Sequence, residues 1–532
     1  MNRFILFEMH TVRSKGGKFM KKAAAVVMTV MLCIGMLSGC GGGGEDKSAS
    51  KSTGGDAAKD TLNVIVGDDA NQFSPYVTNS YSDIMSVYQI YERLVYMKEG
   101  EPVPGLAESW DVSDDKKTIT FHLREGAKFH NGETCTSEDV IYSFEMNSEK
   151  APSNSFKPKI ESWTAVDDNT VELKLKYPCE SIFSSLSSPG LGIVCKSYVE
   201  EKGDDAFIEP VGTGAYKLKE WVKGSKISFE AFEDYNGKKA GIKNLNFNII
   251  TDSATALVAL ENGDNDFMIN ASAADLPLIE KNEELVLQSA PSHSTASLVL
   301  NVRNGVLENE KLRQAIACAI DREAINTSAF EGTGTIATGS YEDFLYYDGK
   351  DYTYPFDLDK AKELMKEAGY PDGGVSFTIK TSDTYGDVVP QIIMDNLNQI
   401  GIEVKIETLE MGAHSQDWLN GNFEAIYQSG SEITPDLSEG LYNSYYWPDN
   451  TWSASSPDSD IYNERLDAIR YEVDSDKKTE ETCSLLKDIM ASANEIPLVT
   501  LTSNIVYRQG LQDTYIDPNG MFYCFKDFRW GE

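Results

Sequence analysis

The chain of 532 residues predicts mixed α/β domains, and three observations carry that expectation. Short apolar or alternating runs recur between amphipathic helical patterns, as they do when strands and helices interleave. Capping residues mark where those helical patterns start and stop. Composition is that of a soluble globular protein, 41% apolar and 25% charged, and the length allows two or three domains at roughly 100–200 residues each.

From residue 61 the elements follow in order. "TLNVIVG" reads as a short buried strand. Residues 83–96 set Ile84, Val87, Tyr88, Tyr91, Leu94 and Val95 on one face of a helix. Residues 118–124 alternate, with Ile119, Phe121 and Leu123 opposite Thr118, Thr120, His122 and Arg124. "NGETCTSEDVIYSFEM" turns at Asn131-Gly132 and begins a helix with Thr136 as N-cap and Asp139 as its capping-box partner. "GTGAYK" at 212–217 is superficially like a phosphate loop, but it leads into a strand and not into a helix N-terminus. Residues 226–232 and "NLNFNII" are strands around a turn at 234–241, and "DSATALVALENGDNDF" is a capped helix, a turn and a strand entry. Residues 311–326 and 358–368 are amphipathic helices, the second ending at Gly369 with Pro371 beyond. "VSFTIKTS" and "GIEVKIETL" are strands flanking a helix at 388–400.

The N-terminus has a different character. Residues 23–37 form the one long apolar segment, and its 15 residues fall short of the about 20 that cross a bilayer. Preceded by Lys21 and Lys22 and followed by small residues, it fits a secretory signal over residues 1–39. Leu37, Ser38, Gly39 and Cys40 resemble the bacterial lipobox, in which the cysteine receives a diacylglycerol and becomes the new N-terminus. Acyl chains at about 0.8 kcal/mol per buried CH₂ would hold Cys40 to a membrane face. Residues 40–59, rich in glycine and serine, would be a flexible tether.

Charge and motif content exclude several classes. The formal net charge is −36; the first 39 residues carry +5, which leaves −41 on the remainder. Such a body is repelled by phosphate backbones, so no nucleic-acid partner is expected. GxSxG, HExxH and GxxxxGK are all absent, and neither an enzyme, a metal site nor a cofactor is expected. His122, His130, His293 and His414 read as surface or packing residues, and Asp114-Asp115 and Asp264 to Asp266 as solvated turns without calcium-loop spacing. Beyond Cys33 and Cys40, six cysteines remain without a CxxC pair; a Cys179–Cys195 bridge is open to an exported protein, and buried free thiols are the plainer reading.

"YERLVYMKEGEPVPGLAESWDVSDDKKTITFHLREGAKFHNGETCTSEDVIYSFE", residues 91–145, resembles the signature region of the extracellular solute-binding proteins of family 5, the dipeptide- and oligopeptide-binding family of ABC importers. "GTGAYKLKEW", "LVLNVRNGVLENEKLRQAIACAIDREAI", "DLDKAKELMKEAGYPDGG", "LNQIGIEVKIETLEM" and "IPLVTLTSNIVY" follow in the family's order, so that nearly all of 61–530 is covered. The resemblance implies a bilobal periplasmic-binding-protein-like fold with two mixed-sheet lobes, a hinge cleft and an extra subdomain. Lobe I would be 60–94, 209–297 and 504–532, the inserted subdomain 95–208, and lobe II 298–503. Arg124 would make a structural ion pair.

The resemblance also implies a function. The chain would be a monomeric, lipid-anchored receptor on the extracytoplasmic face of the bacterial membrane, closing on oligopeptides or dipeptides and passing them to an ABC permease. One cleft wall would be Asn79, Ser80 and Tyr81; the other, Gln428, Ser429, Gly430, Ser431 and Glu432, would pair with an extended peptide. At the position of the family's ammonium-binding aspartate stands Ser431, with Glu432 as its neighbour, and no arginine lies just upstream. An oligosaccharide or metal-chelate ligand is therefore a second reading. Tyr442, Tyr445, Tyr446, Trp447 and Trp452 would serve either core packing or stacking on ligand.

Overall fold

A computed structural model describes residues 59–77, 80–98, 101–150, 159–303, 305–431, 435–446 and 460–531. Cys40 and the segments assigned to signal and tether up to residue 58 lie outside them, as do Asn79, Glu432, Trp447 and Trp452.

Strand β1 (Thr61–Val66) leads through a loop to helix α1 (Tyr81–Ile90). The hairpin β2 (Val95–Lys98) and β3 (Glu101–Pro104) opens the inserted region. There β4 (Ala107–Val112), β5 (Thr118–Leu123), β6 (Ile160–Asp167) and β7 (Thr170–Leu175) form an antiparallel sheet in the order β4-β5-β7-β6, with α2 (Ser137–Lys150), α3 (Ile182–Leu186) and α4 (Lys196–Lys202). Next come β8 (Tyr216–Val222), β9 (Lys226–Ala231), β10 (Asn244–Ile249), α5 (Ser253–Glu261), β11 (Phe267–Ile269), α6 (Leu276–Ile279) and the long β12 (Leu285–Leu300). The second half holds α7 (Glu310–Ala319), α8 (Arg322–Ala329), β13 (Thr335–Ile336), α9 (Leu358–Glu367), β14 (Val375–Ser382), α10 (Val388–Asn398), β15 (Ile402–Leu409), α11 (Met411–Asn420) and β16 (Ala425–Ser431). It closes with α12 (Leu437–Tyr445), α13 (Asn463–Tyr471), α14 (Ser475–Ala491) and β17 (Glu495–Arg508).

One sheet runs through the molecule in the order β15-β14-β16-β12-β17-β11-β1-β10-β9-β8. Its middle is the antiparallel pair β12–β17, in register from Leu285↔Arg508 to Val299↔Glu495 with a bulge between Pro291 and Thr295. On one side β11, β1 and β8–β10 pack with α1 around Val64, Phe229, Phe247 and Phe267. On the other, β14–β16 pack with α7–α10 around Leu298, Ile316, Phe377 and Ile393. Burying each such side chain contributes roughly 1.5–3 kcal/mol; each side has its own core, and among the described residues β12 and β17 span both. The insert has a third core, with Phe121, Phe129, Phe144 and Leu173, and α12–α14 a fourth.

Most expected elements form where periodicity places them, and the exceptions have local causes. The helix expected over 83–96 stops at Ile90, and Val95 starts β2. Arg93 turns the chain there: its Nη1 donates to the Tyr88 and Tyr91 carbonyls, and its guanidinium lies over the rings of Tyr88 at 3.6 Å and Tyr96 at 4.4 Å. The helix expected over 311–326 breaks at Ile320, because Asp321 caps a new one by accepting from the Ala324 amide. Asp266 is fully buried, contrary to a solvated turn: it accepts from the Asn63 amide at 2.9 Å and pairs with Lys59. Arg124 makes the expected ion pair, its Nη2 at 2.9 Å from both Glu92 oxygens. Cys179 and Cys195 are free thiols in the insert's core.

Candidate functional site

The segment expected as the first wall begins at the N-terminus of α1. Ser80 caps the helix: its Oγ accepts from the Asp83 amide at 3.0 Å and donates to the Asp69 carbonyl at 3.3 Å. Asp68 takes the next amides, those of Tyr81 at 3.0 Å and Ser82 at 3.1 Å. The helix end is thus satisfied by the chain's own groups, and an incoming anion has no claim on these amides. Tyr81 projects from this turn and is 45% exposed.

The segment expected as the second wall is the C-terminal end of β16. It pairs with β12 over its whole length, Ala425↔Leu300 to Ser431↔Ser294. On its other edge it pairs with β14 only at Ala425 and Ile426, after which β14 diverges. Side chains then take over the strand's carbonyls. His414 Nε2 lies 3.0 Å from the Tyr427 carbonyl, and the Tyr385 hydroxyl donates to the Ser429 carbonyl at 2.9 Å. A ring nitrogen facing a carbonyl carries the proton, and burial lowers the pKa of His414, so the neutral Nε2–H form fits. The Tyr385 ring stands edge-on to His414 and Tyr427, with centroids 5.6 and 6.1 Å away. Burial raises the Tyr385 pKa, and Tyr81 is near enough to add to the rise. Tyr385 is thus tied to the second expected segment through the Ser429 carbonyl.

Next to this edge the central strands present hydroxyls. Ser294 Oγ is 3.2 Å from Ser429 Oγ, and Thr295 Oγ1 donates to the Tyr341 hydroxyl at 2.9 Å and lies 3.5 Å from Thr500 Oγ1. Such a surface offers directional hydrogen bonds without fixed charge, which suits a polar solute held by its amides or hydroxyls.

Of the expected site residues, Ser80 and Tyr81 stand at the N-terminal end of α1 and Gln428, Ser429, Gly430 and Ser431 at the C-terminal end of β16. Tyr385, His414, Thr295 and Tyr341 were not anticipated. The available signal was the position of Tyr385, three residues beyond the C-terminal end of a parallel strand, where α/β sheets place their ligands. Tyr442 and Tyr445 belong to α12, and Tyr446 is its C-cap residue. Tyr442 and Tyr446 stack at 4.3 Å, and Tyr445 is in the core of the α12–α14 group. Among the described residues no three His, Cys, Asp or Glu side chains gather as metal ligands, and no helix is long and apolar enough to cross a membrane.

Comparison with known proteins identifies the architecture. The model of the bacterial extracellular solute-binding proteins, family 5, matches residues 101–452. The glutathione-binding protein GsiB of Pectobacterium atrosepticum is 30% identical over 372 residues, covering 68% of this chain and 71% of its own. The dipeptide-binding protein of Escherichia coli is 30% identical over 407 residues, covering 68% and 75%. Among solved structures, the periplasmic binding protein DppA of Helicobacter pylori in complex with the peptide STSA superposes with a TM-score of 0.76 at 27% identity, covering 89% of this chain and 99% of that one. With its two cores joined by β12 and β17, this chain belongs to the bacterial extracellular solute-binding proteins of family 5, the bilobal extracytoplasmic receptors of ABC importers.

Proposed function

We propose that this receptor is anchored to the membrane through an acylated Cys40 and captures short peptides, dipeptides before longer ones, by hinge closure about β12 and β17. In this reading 60–94, 209–297 and 504–532 would form lobe I with 95–208 inserted, and 298–503 lobe II. One observation carries the peptide reading. The edge of β16 leaves β14 after Ile426 while its pairing with β12 continues to Ser431, which is the setting for an added strand. Because the carbonyls of Tyr427 and Ser429 are already engaged by His414 and Tyr385, the edge open to main-chain pairing begins near Gly430. A short edge suits a short ligand. The dipeptide- and glutathione-binding relatives support the same size class.

The test is thermal shift against peptides of two to eight residues, with oligosaccharides and metal chelates alongside. A ligand at 100 times its Kd adds about 2.7 kcal/mol of stability. Dipeptides are expected to stabilise most, and Tyr385→Ala to flatten the dependence on length. Shifts with a sugar or chelate and with no peptide would replace the peptide reading by the second one. Anchoring is tested by Cys40→Ala, which should move the protein from the membrane fraction to the soluble fraction.

A further inference from the structure

The inserted subdomain, fixed to lobe I, also touches lobe II. Arg124 of the insert is held by Glu92, whose Oε1 also accepts from Tyr235 at 2.8 Å. The His130 amide donates to the Gly212 carbonyl at 2.9 Å. The insert therefore travels with lobe I. Yet Lys159, at the start of β6, is 1% exposed with its Nζ 3.4 Å from Glu439 Oε2 on α12. Arg470 of α13 brings Nη2 within 3.4 Å of the same oxygen. Its guanidinium lies 3.1 Å from the Tyr442 ring centroid and 4.7 Å from that of Tyr177, an insert residue. The Tyr346 hydroxyl donates to Glu180 Oε2 of the insert at 2.9 Å. The seam thus consists of one ion pair, a hydroxyl bond and aromatic contacts between the insert and the second half of the chain, with Arg470 bracing Glu439 from its own side.

A buried charge is stable only when paired, so Lys159 depends on lobe II. Burial alone would lower its pKa; the carboxylate of Glu439, 3.4 Å away, opposes that and keeps the ammonium charged. Glu439 is likewise pushed up by burial and, more strongly, held down by Lys159, Arg470 and Lys478. When the faces part, water can take over each of these charged groups. Two apolar faces would have no such replacement, so a charged seam suits a contact that opens and closes.

We propose that Lys159 and Glu439, with Arg470 and the Tyr346–Glu180 bond beside them, form a latch outside the ligand cleft that holds part of the ligand-free receptor closed. These are positioning residues, acting on ligand only through the closed state. The proposal rests on hinge closure as the working motion, and its test needs no ligand, so failure of the peptide reading leaves it intact. Lys159→Met and Glu439→Gln are made in the whole chain, and the ligand-free proteins are compared by small-angle scattering and amide exchange. Both variants should scatter as more open molecules. The amides of α12 and β6 should exchange about tenfold faster in Lys159→Met, with β1 and β10 unchanged. Because the pair is buried, the differences should persist at about 0.5 M salt. Unchanged scattering and α12 exchange in both variants would overturn the latch. So would faster exchange across the whole chain, which would mark a general packing role.

Discussion

At the scale of single residues, His130 shows how a side chain that reads as bland can carry a pH dependence. Its Nδ1 accepts from the Gly212 amide at 3.4 Å and its Nε2 faces the Gly214 carbonyl at 2.9 Å, so the folded state requires the neutral Nε2–H tautomer. Burial lowers its pKa from 6.5 to about 4. Above pH 6.5 the ring is neutral in both the folded and the unfolded state. Between 6.5 and about 4 the unfolded chain binds a proton that the folded chain refuses, so stability falls as the pH falls, by up to about 3 kcal/mol. His130→Gln keeps polar contacts and removes the titration. The difference in urea midpoint between pH 7 and pH 4.5 should therefore shrink in this variant, and an unchanged difference would mean that the proton goes elsewhere. "GTGAYK" was legible as a strand entry, but the reason for its glycines was not. A Cβ on Gly212 would stand 2.1 Å from the Ile90 carbonyl oxygen, and one on Gly214 the same distance from that of Gln89. The motif allows α1 to approach; this contact is between distant segments and leaves no periodic trace. Ser80 and Tyr81 were named as cleft candidates from order along the chain, whereas Tyr385 is brought to Ser429 only by the divergence of β14 from β16.

Among the elements, helices and strands with strong periodicity and capping residues were legible, and their breaks were not. Thr136 and Asp139 behave as expected: the Asp139 carboxylate accepts from the Thr136 amide at 2.9 Å and from its hydroxyl at 3.1 Å. The run "KLRQAIACAIDREAIN" has an unbroken apolar face, and one helix is its simplest reading. Tertiary partners divide it. The Cys318 carbonyl accepts from the Asp357 amide at 2.8 Å, the Asp321 amide donates to Asn396 Oδ1 at 2.9 Å, and Asp321 then caps α8. Once those partners are in place, continuing the helix would leave Asp357 and Asn396 unsatisfied. Asp321→Ala should cost about 1 kcal/mol and speed amide exchange at Ala324 and Ile325, while Asp321→Asn should be close to neutral. Equal effects of the two would show that the charge, and not the cap, is what matters.

For the whole molecule, the mixed α/β, bilobal fold was legible because strand–helix alternation and the order of blocks extend over hundreds of residues. The seam between insert and α12 was not, since Lys159 and Glu439 are unremarkable as single residues. Net charge is a whole-molecule property that can be read from sequence, and it bears on capture. Without its first 39 residues the chain carries −41, so the field around the cleft favours cationic over anionic solutes during encounter. At about 0.01 M salt the screening length is roughly 30 Å, comparable to a lobe, and at 1 M it is about 3 Å. Side-chain contacts in the cleft act mainly on dissociation, whereas the long-range field acts on association. The dipeptides Lys-Ala and Glu-Ala separate the two effects by stopped-flow fluorescence. At low salt Lys-Ala should associate several-fold faster than Glu-Ala. The ratio should approach one at about 1 M salt while the dissociation rates change little. A ratio indifferent to salt would mean that the cleft is shielded from the acidic body. A reversed ratio would mean a basic rim that outweighs it, and would move the preferred cargo toward anionic peptides of the kind that the glutathione-binding relative is named for.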